Sequence, residues 1–175
     1  MKRKQRPLLP LLTLALAVLC PVTLPLLAQN TMPQPSPAAA LFPAADVEAV
    51  AAEVKRQAET NGKGGAGKTL AIYPDSSIAI VARTETSGAE IHRYASDNFV
   101  VLDGDATLVT GGSIPGAHDT GHGEVKGEKV VGGEEHHLKK GDIFHVSAGT
   151  PHQTVMTPGH DFVFLMIKAL RPEQP

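Results

Sequence analysis

Two acids and two histidines lie in two separate β-like stretches of the sequence. GAEIHRYASDN carries Glu90, His92 and Asp97, and GDIFHVSAGTPHQ carries His152. If the segment around Glu90 is a strand, Glu90 and His92 point to the same face, because side chains alternate along a strand. Imidazole nitrogens and carboxylate oxygens bind divalent transition metals, so these residues are candidates for one metal centre.

The first stretch resembles a sequence motif of the cupins, a superfamily of small jelly-roll β-barrels. That motif reads G(x)5HxH(x)3-4E(x)6G. When its last glycine is placed on Gly104, Glu90 and His92 take the two histidine positions and Asp97 takes the glutamate position. Two of the three ligand types therefore differ from the family pattern.

The second stretch resembles the second cupin motif, G(x)5PxG(x)2H(x)3N, from Gly141 to His152 with the spacing kept. The resemblance covers about residues 70–170. It implies that two imidazoles and two carboxylates hold Mn²⁺, Fe²⁺ or Zn²⁺ inside the barrel. A cupin barrel that has lost its metal, with these polar side chains hydrogen-bonded to one another, is the alternative. The resemblance implies that Asp97 is a fourth ligand or a general base. Because Asp97 is one methylene shorter than glutamate, a third interpretation is that it falls short of the ion and contacts a metal ligand instead.

Three other histidines have weaker signals. His145 lies in the β-rich run that leads to the second motif. It is interpreted either as a hydrogen-bond partner of a metal ligand or as a core histidine with its own hydrogen bonds. His118 and His122 lie in a Gly-rich segment between the motifs. That segment is interpreted as a loop over the barrel mouth, with solvated histidines favoured over a second metal site.

The N-terminal residues predict export. MKRKQR is basic and is followed by an apolar run that ends at Ala28, which is typical of a secretory signal peptide over residues 1–28. A retained membrane anchor is the alternative, and the prolines within the run favour cleavage. Residues 29–45 are rich in Pro and Ala and predict a disordered linker. The protein is therefore expected in the periplasm or outside the cell, with no membrane attachment after cleavage.

Net charge limits the possible binding partners, and the cysteine content limits what can stabilise the fold. The signal segment carries four of the 16 basic residues and none of the 18 acidic ones, so the rest of the chain has 12 basic residues and a net charge of −6. That balance argues against a nucleic-acid partner. The single cysteine, Cys20, lies in the signal segment, so the exported chain must be stabilised by its core, without disulfides.

The remaining pattern is one helix followed by β structure. DVEAVAAEVKRQAET predicts an amphipathic helix over residues 46–61 with Asp46 as its N-cap. About ten short β-rich runs follow, which predicts an all-β fold, interpreted as a cupin-type jelly-roll β-barrel over residues 69–171. Asp103-Gly104 between two of the runs predicts a hairpin turn.

The segment GKGGAGKT matches the phosphate-binding pattern GxxxxGK[ST] letter for letter. Such a loop works between a strand and the N-terminus of a helix, whereas this segment follows a predicted helix and precedes a predicted strand. We therefore expect no bound nucleotide, and interpret the segment as a flexible Gly-rich connector with two solvated lysines.

The resemblance implies a metal-dependent enzyme that acts on a small polar molecule. Dioxygenases, isomerases and lyases all occur in the superfamily, and fold alone does not select among them. A non-catalytic module that holds a metal or small ligand is the alternative. The family habit of edge-to-edge pairing also implies a homodimer.

Overall fold

The computed structural model describes residues 38–171 of the 175-residue chain. The expected signal peptide and linker residues 29–37 lie outside the described residues. One helix, α1 (Ala44–Thr60), precedes the strands, and within the described part it is not apolar enough to cross a membrane. The strands are β1 (Gly65–Ile72), β2 (Ser76–Arg83), β3 (Ala89–His92), β4 (Ala95–Thr110), β5 (His118–Gly121), β6 (Glu124–Gly127), β7 (Glu134–Lys139), β8 (Ile143–Val146), β9 (His152–Val155) and β10 (Phe162–Leu170).

All strand pairs are antiparallel, in the order β1-β2-β10-β4-β9-β3-β6-β5, with β7 and β8 also paired to β4. The long strand β4 pairs with β10 and β8 through its first half and with β7 and β9 through its second half. Because one strand belongs to both parts, the sheet curls around a common interior. The expected all-β fold after one helix is confirmed.

The hairpin predicted at Asp103-Gly104 is wrong, because β4 continues through both residues. Gly104 has φ 73°, and a Cβ on it would lie 1.9 Å from the carbonyl oxygen of Asp161. The amide of Asp105 donates to that same oxygen over 3.1 Å. Glycine therefore lets β4 turn a corner against the neighbouring chain where the sequence indicated a reversal.

The interior of the curled sheet contains an apolar core. Its aromatic part is a trio in which the Phe164 ring lies 5.0 Å from Phe99 and 4.9 Å from Phe162, between centroids. Tilted aromatic pairs at such separations add to the stabilisation from burial. The buried members of this core are Phe99, Val101, Ala106, Leu108, Leu138, Val146, Met156, Phe162 and Phe164.

Helix α1 covers the outer face of the sheet. Val54 and Ala58 of the helix pack against Ile80 of β2 and Val163 of β10. These strand residues alternate with inward-facing neighbours, so both faces of this part of the sheet are covered. The N-terminal helix is thereby a part of the domain.

Both predicted boundaries before the barrel need correction. The helix begins at Ala44, two residues early, with Pro43 at its N-cap, so Asp46 lies in the first turn and is not the cap. The Gly-rich segment is a connector only as far as Gly64, because β1 begins at Gly65 and pairs with β2. The second half of the phosphate-loop pattern is thus part of a strand, and no helix follows it within residues 65–171, as expected from the sequence.

Candidate metal centre

Three strands bring the four predicted side chains to one place in the interior. Glu90 and His92 are two residues apart on β3 and share a face, and Glu90 is the cross-strand partner of His152 on β9. Asp97 lies near the start of β4, on the same face as the core residue Phe99. Residues far apart in the sequence thus meet because antiparallel pairing sets their register.

The four groups converge on a single point. His92 Nε2 lies 3.2 Å from Asp97 Oδ2 and 3.7 Å from Glu90 Oε1. His152 Nε2 lies 3.5 Å from Glu90 Oε1 and 3.6 Å from Asp97 Oδ2. Donors at 2.1 Å from one tetrahedral ion would lie about 3.4 Å apart, and octahedral neighbours about 3.0 Å apart. The separations therefore suit one small cation.

Both histidines are oriented by acceptors on their other ring nitrogen. Nδ1 of His92 lies 2.7 Å from Oε2 of Glu124, and Nδ1 of His152 lies 3.0 Å from the carbonyl oxygen of Thr150. An acceptor at Nδ1 holds a proton there, so Nε2 can present its lone pair to the centre. Nε2 of His152 is buried and has no hydrogen-bond partner among the described residues.

The electrostatics of the cluster favour positive charge at its centre. Burial alone would lower the histidine pKa values, but the carboxylates of Asp97 and Glu90 outweigh it and raise the pKa of both His92 and His152 to about 9. Burial alone would raise the pKa of both carboxyl groups. The histidines and neighbouring lysines outweigh it and hold the pKa of Glu90 and of Asp97 far below the usual range. Two protons or one metal ion can supply that positive charge.

Exposure changes steeply across the cluster. The side chains of Asp97 and His152 are 2% and 3% exposed, whereas that of Glu90 is 25% exposed. The centre is therefore approached from the side of Glu90. A groove of about 580 Å³ lies elsewhere, between α1 and the outer face of the sheet, and it is lined by six apolar and four charged residues.

Two lysines pair with the carboxylate oxygens of Glu90 and Asp97 that do not face the histidines. The ammonium of Lys126 donates to Oε2 of Glu90, and Lys168 Nζ lies 3.0 Å from Oδ1 of Asp97. The other oxygen of each carboxylate faces the histidines. The lysines thus turn one oxygen of each acid towards the centre.

The sequence analysis missed Glu124, Lys126 and Lys168. Lys168 was within reach of pattern reasoning, because it extends the alternation of inward residues through Phe164 and Met166 on β10. The other two are cross-strand partners of His92 and Glu90, a relationship set by pairing with the distant strand β6. The Gly-rich segment between the motifs predicts a loop, whereas the structure forms β5 and β6 there.

Among the described residues, Glu90, His92, Asp97 and His152 form the single group of three or more His, Cys, Asp or Glu side chains that lie close enough to hold an ion. The structure does not bring His145 to it. His145 is exposed, and its ring bonds Asn98 Oδ1 at 2.8 Å and Ser147 Oγ at 3.3 Å, neither of which belongs to the cluster. His118 and His122 are also exposed.

No protein-family model matches the sequence, and no curated protein matches it. Solved structures do. An uncharacterized conserved protein with a double-stranded β-helix domain from Klebsiella pneumoniae is 17% identical with a TM-score of 0.52, over 78% of this chain and 94% of that one. KdgF from Halomonas sp. is 18% identical with a TM-score of 0.45, over 62% and 82%.

The cupin domain of Cnp3 from Schizosaccharomyces pombe is 11% identical with a TM-score of 0.47, over 62% of this chain and 66% of that one. At identities this low, the likeness shows the fold alone. It rests on the Klebsiella structure, whose TM-score is above 0.5. Together with the curled antiparallel sheet built around β4, it shows that this chain has the double-stranded β-helix fold, the jelly-roll fold that the resemblance to the cupin motifs implies.

Proposed function

We propose that the protein binds one divalent transition-metal ion, Mn²⁺, Fe²⁺ or Zn²⁺, through Glu90, His92, Asp97 and His152. One observation carries the proposal: two imidazole Nε2 atoms and two carboxylate oxygens lie within 4.8 Å of one another in the interior. Burying two carboxylates this closely costs free energy unless a cation compensates them. Mixed nitrogen and oxygen donors suit these three metals.

The function best supported is metal-dependent chemistry on a small polar molecule that enters past Glu90. A bound ion of this kind polarises a carbonyl or hydroxyl group, or lowers the pKa of a bound water. Asp97 would serve as a ligand, because its side chain is 2% exposed and its Oδ2 lies 3.2 Å from His92 Nε2 and 3.6 Å from His152 Nε2. His92 and His152 fix the geometry, and the apolar core beyond them excludes water.

A non-catalytic metal-binding module is the second candidate, and the ligand count favours it. Four protein ligands fill a tetrahedral ion completely, which is the arrangement of structural zinc sites. A six-coordinate ion in the same cluster keeps two positions for water or substrate. X-ray absorption of the loaded protein distinguishes these cases through the coordination number.

Export is part of the proposal. The basic start and the apolar run up to Ala28 support it. Expression of the full chain in a bacterial host, followed by mass spectrometry of the protein in the periplasmic and culture fractions, tests it. A mature N-terminus at or near residue 29 is expected, and retention of an intact N-terminus in the cytoplasm would contradict export.

Metal analysis tests the binding site. The purified protein is expected to take up one ion per chain, with uptake abolished by His92→Ala and by His152→Ala. His145→Ala is the matched control, since this histidine is exposed and bonded to Asn98 outside the cluster. Protein that stays metal-free and melts at the same temperature after addition of each of the three metals would overturn the proposal.

A further inference from the structure

Two ammonium groups lie between the centre and solvent. Lys126 on β6 is the cross-strand partner of Glu90, and Lys168 on β10 is the partner of Asp97. Their side chains are 41% and 26% exposed, against 2% for Asp97. The lysines therefore line the approach to the cluster.

The donors of Lys168 are not used up by its ion pair. Its Nζ is 3.0 Å from Oδ1 of Asp97, yet that oxygen has no hydrogen-bond partner in the described part of the chain, because the contact lacks hydrogen-bond geometry. The ammonium group contributes charge while its N–H groups stay available to another acceptor. A ligand beside the ion would lie within its reach.

The lysines decide the sign of the charge at a loaded centre. The carboxylates of Glu90, Asp97 and Glu124 contribute three negative charges, and a divalent ion with neutral histidines contributes two positive ones. Without lysines the centre would carry one net negative charge; Lys126 and Lys168 make it one net positive charge.

We propose that the ligand of the loaded centre is a small monocarboxylate, whose negative group binds beside the ion between Lys126 and Lys168. This inference rests on the proposed metal-binding function. A monoanion matches the single positive charge that the two lysines leave. A neutral molecule of the same shape would forgo that attraction, so charge is the basis of selection.

The test compares an anion with its neutral analogue. Protein loaded with Co²⁺, whose visible absorption reports ligand binding, is titrated with glycolate and with glycolamide. Glycolate is expected to bind the wild-type protein at least tenfold more tightly. Lys126→Met and Lys168→Met should each weaken glycolate binding by about tenfold, and leave glycolamide binding unchanged, as expected for loss of one nearby charge.

A second readout excludes general damage to the site. Glycolate binding is therefore measured at full Co²⁺ occupancy, which a Co²⁺ titration of each variant establishes beforehand. A fully loaded variant that has lost glycolate binding has lost the anion site and kept the metal site, whereas a damaged site would fail to load. Lys168→Arg retains the charge and should restore most of the glycolate binding. Lys55→Met is the matched control, because Lys55 pairs with Asp103 and Asp161 at the helix side of the sheet.

The outcomes separate the two proposals. Wild-type protein that fails to bind any metal would overturn the proposed function, and this inference with it. Stoichiometric metal with equal affinity for glycolate and glycolamide would overturn the inference alone. So would lysine variants that bind glycolate as tightly as the wild type.

Discussion

The barrel interior contains two regions of opposite chemistry on the same strands. On β4, Asp97 belongs to the charged cluster, and Phe99, two residues later on the same face, belongs to the aromatic core. On β10, Lys168 borders the charged cluster, and Phe164, four residues earlier on the same face, belongs to the aromatic core. The aromatic region stabilises the fold without any ligand, whereas the charged region leaves buried polar atoms that call for a cation.

The difference between the aromatic core and the charged cluster explains how one small sheet is both stable and able to bind a metal ion. Burial of phenylalanine is favourable at any pH and in any metal concentration. Two buried carboxylates and two imidazoles are favourable only when positive charge compensates them. The two regions should therefore respond differently to truncation, pH and metal, and each response can be measured.

The largest effect is expected in the aromatic region. Phe162 is fully buried, so Phe162→Ala should lower the free energy of unfolding by about 3–5 kcal/mol, through lost burial and the cavity left behind. Chemical denaturation measures it, with Phe162→Leu as the milder control. Metal affinity of the folded fraction should change little. A loss below about 1 kcal/mol would contradict a close-packed core here.

pH should affect the charged region only. In metal-free protein the raised pKa of His92 and of His152, about 9, means that the folded state holds protons which an unfolded imidazole releases near 6.5. The free energy of unfolding should therefore fall as pH rises from about 6.5 to about 9. Saturating metal displaces these protons and should remove this fall.

Urea unfolding of metal-free protein at several pH values measures the effect. Phe162→Leu should retain the pH dependence, because the aromatic region contains no titrating group, whereas His152→Gln should reduce it. His145→Ala serves as the surface control. A free energy of unfolding that rises between pH 6.5 and 9 would show that the carboxylates do not keep the histidines protonated in this range.

A smaller effect is expected at the carboxylate behind His92. Glu124→Gln removes the negative acceptor at Nδ1, so metal affinity should fall by about 10–100-fold while the free energy of unfolding of the metal-free protein changes little. Metal titration measures it. Asp119→Asn is the control, because Asp119 is an exposed acid on β5 that pairs with Arg93 outside the cluster. Equal affinity in both variants would mean that Glu124 does not orient the ligand.

The smallest effect is expected for charge pairs outside the barrel. Lys55→Gln breaks half-exposed ion pairs with Asp103 and Asp161, and should cost less than about 1 kcal/mol, because solvent screens them. Thermal melting measures it at low and high salt. A larger loss would show that charge pairs outside the interior matter as much as those within it.

Much of this arrangement was predictable from the sequence, since alternation and spacing are local signals. Alternation on the strand of Glu90 and His92 placed both on one face, and the second motif located His152. Asp103-Gly104 was misread, because a turn dipeptide and a corner inside a strand look alike until the contact with Asp161 is known.

The lysines and Glu124 were missed for a related reason. The roles of Glu124 and Lys126 depend on cross-strand pairing with β3, 32 and 36 residues away, which no local pattern encodes. Alternation along β10 places Lys168 on the inward face, but only pairing with β4 places it beside Asp97. His145 shows the converse error. A histidine next to a motif suggests a partner of the site, yet its position on β8 directs it to the exposed side, towards Asn98.

Strand β4 both begins and ends at the metal centre. Asp97 stands near its start, and Thr110, its last residue, is the cross-strand partner of His152. The number of residues between these two points therefore fixes how far the carboxylate stands from the imidazole. A one-residue insertion or deletion in a paired part of this stretch would move the later side chains to the opposite face unless a bulge absorbed it. The length of this strand is therefore as much a part of the centre as its ligands.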